Sequence, residues 1–214
     1  MPDSITIPTV PPFPDQIEKD AKKLEDDYDE AIKKVNDLKN QLDSKMPEAE
    51  AKKLEASLIS KQSEVKTMEG TGNGLETAAA KEVERMKKLQ QELKDLKTSF
   101  ENLKCKPDDY DLILKEVDKA IDVLEKYIER LTKTVDRLKG LTKKIKTLFD
   151  HIGEFLRAVL DLLKAFIDNT VGEVFNFIKD TIFGIFEDDE KTPKNPETSK
   201  NSETSKNSET PKNP

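Results

Sequence analysis

The chain has 214 residues, a formal net charge of −7, 38% charged and 34% hydrophobic residues, and no tryptophan. So little apolar material on so charged a chain excludes a large compact core and points to long, half-solvated helices. The acidic balance also argues against nucleic acid as a partner, because phosphate neutralisation needs clustered Lys and Arg.

A single cysteine, Cys105, leaves no internal disulfide to be made. The first residues lack a basic region and carry Pro8, Pro11, Pro12 and Pro14, so no signal peptide is read there. No uncharged run approaches the roughly 18 apolar residues of a membrane span. The expectation is a cytoplasmic protein, at most peripheral to a membrane.

In chain order, residues 1–14 read as a Pro-rich, extended and disordered leader, solvated along its length. Pro8-Thr9-Val10-Pro11 fits a PxxP pattern. Asp15 with Glu18 has the form of a helix-capping pair. Ile17, Ala21, Leu24, Tyr28, Ala31, Val35, Leu38 and Leu42 then alternate by four and three, which is a heptad seam. Pro47 ends this helix or opens the next.

The second seam is Ala51, Leu54, Leu58, Lys61, Val65 and Met68. It meets Gly70-Thr71-Gly72-Asn73-Gly74, read as a break, with Asn73 and Glu76 capping a new start. The third seam is Leu75, Ala79, Glu82, Met86, Leu89, Leu93, Leu96, Phe100 and Leu103, where Glu82 is expected to set register. A short break at 104–107 follows. The longest seam runs from Tyr110 through Val117, Leu124, Leu131, Leu138, Ile145, Ile152 and Val159 to Phe166, with Thr134 its one polar member. Residues 170–186 are a further apolar stretch. The end, 188–214, repeats Thr-Ser-Lys-Asn-Ser-Glu without an apolar residue, so it reads as disordered.

The fold expected from these segments is all-α. A long antiparallel coiled-coil hairpin turns at residue 106, which brings residue 72 opposite residue 140. Each arm is roughly 90 Å long at 1.5 Å per residue. Folding 15–45 back about Pro47 lays its acidic start, residues 15–30, beside the basic block of Arg130, Lys133, Arg137, Lys139, Lys143, Lys144 and Lys146. The result is a three- to four-helix head, from 15–45, 47–69, 138–166 and 170–186, and a two-helix stalk over 75–137, tipped by Cys105. The Gly-rich stretch is expected to kink the hairpin, or to reverse the chain in a more compact alternative.

Nothing in the sequence calls for catalysis, a cofactor, a metal or a small-molecule substrate. His151 is the lone histidine and is far along the chain from Cys105; no HExxH, CxxC or P-loop pattern occurs. Two surfaces stand out instead. One is a second apolar row beside the long seam: Leu114, Ile121, Ile128, Val135, Thr142, Phe149, Leu156 and Leu163. In the stalk, Leu114, Ile121 and Ile128 have no neighbour in a two-helix arrangement. Either residues 15–45 cover them, or the stalk pairs with partner helices or with a second copy of itself. The other surface is the Phe-rich segment 149–186, with Phe155, Phe166, Phe175, Phe177, Ile178, Ile182, Phe183 and Phe186. It suits core packing or, as the alternative, a lipid surface. Scaffolding or adaptor work between proteins is the first functional expectation.

Overall fold

The computed structural model describes residues 7–43, 45–103, 109–168 and 170–187. Four helices carry them: α1 (Asp15–Lys39), α2 (Glu48–Glu101), α3 (Tyr110–Asp168) and α4 (Val171–Glu187). The sequence segments 188–214 and Cys105 lie outside the described residues, as do the side chains of Ile185 and Phe186.

α1 starts one residue earlier than a cap at Asp15 allows. Pro14 holds the cap position without any side-chain hydrogen bond, and Asp15 is already helical. Its N–H donates to Phe13 O at 2.9 Å, and that of Ile17 donates to Pro14 O at 3.1 Å. Asp15 and Glu18 still favour this end by placing negative charge in the first turn. Pro47 opens α2 in an extended conformation, ψ 152°, and its carbonyl accepts from Glu50 and Ala51 at 2.9 and 3.1 Å. Between them, the loop tucks Leu42 and Met46 into the core.

The expected break at 70–74 does not exist. α2 runs through it without interruption, so neither the capping start at Asn73 nor the chain reversal occurs. Each glycine costs a helix about 1 kcal/mol. Burying each large apolar side chain that flanks the stretch returns about 1.5–3 kcal/mol, and Val65, Met68, Val83 and Met86 are all buried. Gly72 is also needed there. A Cβ on it would lie 2.8 Å from Thr142 Oγ1 and 3.4 Å from Leu24 Cδ2, whereas Gly70 and Gly74 face open space. The stretch is thus a point where α1, α2 and α3 meet closely, not a hinge.

α2 and α3 form the long antiparallel hairpin, with residue 72 two positions from its expected partner. Lys97 Nζ and Asp118 Oδ1, 2.7 Å apart, set its level nearer the tip. α1 packs back along both helices. After the link at 169–170, α4 returns along α3, with Thr170 N–H donating to Ala165 O at 3.0 Å. The head therefore has four helices, with one continuous core from Ala21 to Ile182. The seam positions are buried or half-buried as expected, with two exceptions: Val83, 7% exposed, is buried in the place expected for Glu82, and Leu103, past the end of α2, is 40% exposed. Glu82 is partly exposed and pairs with Arg85 Nε at 3.0 Å. At the tip, Phe100 and Tyr110 make a separate ring pair, centroids 6.4 Å apart.

Candidate interaction surfaces

The stalk has two flanks, one on either side of the seam joining α2 to α3, and the chain treats them differently. On α3, Tyr127 and Arg130 lie on one flank, and Leu114, Ile121 and Ile128 on the other, because successive residues step 100° around a helix.

The leader occupies the first flank. Ile7, Val10 and Phe13 are half-buried against the core, so a fully solvated leader is not what residues 7–14 form. Thr9 and Pro11 share a groove with Arg85, Met86, Lys88, Leu89 and Glu92 of α2. This places the PxxP pattern against the stalk. The Phe13 ring meets Tyr127 edge-on at 5.1 Å, and the Arg130 guanidinium lies 3.9 Å from its centroid. Arg130 also binds Glu18 at 2.6 Å and Asp15 at 3.8 Å. The Glu18 hydrogen bond, with the charges of Glu18 and Asp15, raises the guanidinium above its ordinary pKa. Arg130 thereby ties the leader, the start of α1 and α3 together. Sequence periodicity misses this contact, because an extended Pro-rich segment has no helical repeat to read.

Arg137 adds a second tie, to Glu25 at 3.0 Å. The acidic start of α1 does lie along the basic block, and Arg130 and Arg137 make ion pairs with it. Lys133 pairs with Glu129 within its own helix at 2.7 Å. Lys139, Lys143, Lys144 and Lys146 are exposed, with no carboxylate of the described residues within salt-bridge distance.

On the second flank, Ile121 and Ile128 are half-buried where α2 shields them, and Leu114 is half-buried outside the main core. The α1 ion pairs and the leader lie on the opposite flank, so covering by 15–45 is not how this row is satisfied. Asp118 and Glu125 stand beside the row at helical spacing, with Asp122 and Glu129 further out. Across the groove, α2 brings Val83, Gln90 and Lys97 in one row, edged by Lys87 and Lys94. The Lys97–Asp118 pair links the two rims at one level; Lys94, Asp122 and Glu125 are exposed.

In the head, the Phe-rich segment faces mostly inward. Phe155 is fully buried, Phe175, Ile178 and Ile182 are buried, and Phe166 is half-buried. Phe183 is half-buried, with Lys39 Nζ 4.8 Å and Lys179 Nζ 5.8 Å from its centroid. Phe177, 75% exposed, faces a groove of 730 Å³ between α3 and α4, lined also by Glu154, Arg157, Ala158 and Asp161. Ile167, at the end of α3, is 80% exposed. His151 is half-buried in the head. No described helix is long and apolar enough to cross a membrane. No known family model, characterised protein or solved structure matches the chain.

Proposed function

We propose that this chain is a non-enzymatic helical scaffold or adaptor that works by contact, docking partner helices along the second flank of its stalk. The row of Leu114, Ile121 and Ile128 carries the reading. It lies in a groove between two helices, at heptad spacing, with neither α1 nor the leader against it. A helix laid in such a groove buries side chains at the same spacing. The test is a photo-crosslinking side chain placed at Ile121, with one at exposed Glu116 as control. The scaffold reading expects a polypeptide adduct at 121 and none at 116. Equal labelling at both positions, or none at either, would overturn it.

A second reading is favoured by a different observation. Ile167 stands exposed at the end of α3 and Phe177 along α4, and α4 is held through one face, by Phe175, Ile178 and Ile182. In that reading α4 swings out on its short link and lays its apolar face in a lipid surface, with Lys139, Lys143, Lys144 and Lys146 supplying attraction to anionic headgroups. Co-flotation with anionic vesicles separates the two: a scaffold stays in the soluble fraction at every lipid composition.

A further inference from the structure

The groove on the second flank has rims of opposite sign, and this selects an occupant. On the α3 side the rim is acidic: Asp118, Asp122 and Glu125, with Glu129 following. On the α2 side Lys87, Lys94 and Lys97 form a basic row. Glu84 pairs with Lys87 at 3.1 Å and Glu101 lies 3.9 Å from Lys97, so Lys94 is its exposed centre. The Lys97–Asp118 contact at 2.7 Å fixes their relative level. Since the two helices are antiparallel, Lys94 stands level with Ile121, and Lys87 with Ile128.

We propose that the partner in this groove is a second copy of the same chain, joined stalk to stalk about a two-fold axis parallel to the stalk, with both tips at one end. This deepens the scaffold reading and rests on it. Two faces can be brought together by a two-fold axis in their common plane in only two principal ways. An axis across the stalk sets α3 against α3 of the other copy and lays acid on acid, which opposes association. An axis along the stalk sets α2 against α3 of the other copy. Lys94 then meets the level of Asp118 and Asp122, and Lys87, now shared with its neighbour Glu84, the level of Glu125. Leu114, Ile121 and Ile128 of the two copies close a four-helix layer in which every neighbouring pair is antiparallel. An interface of this kind is self-complementary, as a two-fold contact must be. The charges choose the orientation while the apolar row supplies the burial.

The experiment is light scattering on the full chain under reducing conditions, which removes any disulfide between copies. The wild type is expected at twice its 24.3 kDa chain mass. Lys87→Glu with Lys94→Glu, and separately Asp122→Lys with Glu125→Lys, are each expected to weaken the dimer on the order of 100-fold. An equimolar mixture of the two variants should regain it, since each altered rim now meets its opposite. These are exposed positions, and circular dichroism checks that helicity is kept. A wild type that is monomeric at high micromolar concentration overturns the proposal without any variant. So does a dimer indifferent to both charge sets, or two variants that fail to pair when mixed. If the wild type is monomeric but the crosslinker at Ile121 captures a different polypeptide, the dimer falls and the scaffold reading stands. If nothing is captured either, both fall.

Discussion

Gly72 shows how one hydrogen atom in place of a methyl group decides the packing of three helices. Leu24 and Thr142 approach it so closely that a Cβ has no room, and Thr142 Oγ1 is buried there without a hydrogen-bond partner. Its neighbours are under no such constraint. Gly70→Ala and Gly74→Ala should each stabilise the protein by about 1 kcal/mol, the helix-propensity difference. Gly72→Ala gains the same propensity but overpacks, at a cost of about 1–3 kcal/mol. Urea denaturation should therefore place it clearly below the other two, and adding Thr142→Ala should recover the difference. If all three alanine variants gain equally, the close approach is not there. Phe13 is the matching case on the surface. Phe13→Ala removes an aromatic pair of about 0.5–1.5 kcal/mol and a cation–π contact of about 0.5–1 kcal/mol. Limited proteolysis should then cut within residues 7–14 much faster than in the wild type. An unchanged cleavage rate would mean that the ring does not hold the leader.

At the scale of the element, α1 is held by two different forces with different jobs. Its inner face buries Ala21, Leu24, Tyr28, Ala31 and Val35, while Arg130 and Arg137 grip its outer acidic edge. The apolar face dominates the energy. Leu24→Ala should cost about 2–5 kcal/mol, and Arg137→Ala about 0–1 kcal/mol, because the ion pair is half in water. Thermal melts at low and at 1 M salt should show the Arg137 effect vanish and the Leu24 effect persist. The ion pairs select register rather than supply affinity. Removing α1 altogether, by deleting residues 1–45, uncovers the apolar seam beneath it and frees Arg130 and Arg137 to join the lysines of the basic block that are already exposed. That truncation is expected to bind anionic vesicles or to aggregate, whereas the full chain does neither. A truncated protein that stays monodisperse and indifferent to lipid would show that α1 does not cover that surface.

For the whole molecule, the governing length is that of α3. Its 59 residues span about 90 Å at 1.5 Å each. Small-angle scattering of the monomer should give a longest dimension near that value, far above a compact bundle of the same mass. The two-fold axis along the stalk adds width but little length. An antiparallel pair would instead set a head at each end and lengthen the particle by tens of ångströms. A dimer longer than the monomer by that amount would reject the proposed orientation even if the mass were right.

Heptad spacing by itself determined the all-helical class and most of the seams, since a repeat of seven leaves an apolar face that only another helix covers. The short breaks gave the antiparallel hairpin. They allowed a head of three or four helices, and the structure made it four by laying α4 along α3. Folding the chain at its short breaks also placed residue 72 near residue 140 and the acidic start of α1 beside the basic block. Three decisions came only with the tertiary structure. The Gly-rich stretch stayed helical because burial on both sides outweighs the glycine cost, a sum that no local propensity contains. The leader found a place on the stalk through three side chains spaced for an extended segment, where a search for helical repeats has no purchase. The flank of α3 that stayed open was settled by which side α1 and the leader took. That choice rests on Arg130 and Phe13 meeting across more than a hundred residues of chain, and such a meeting exists only once the hairpin has closed.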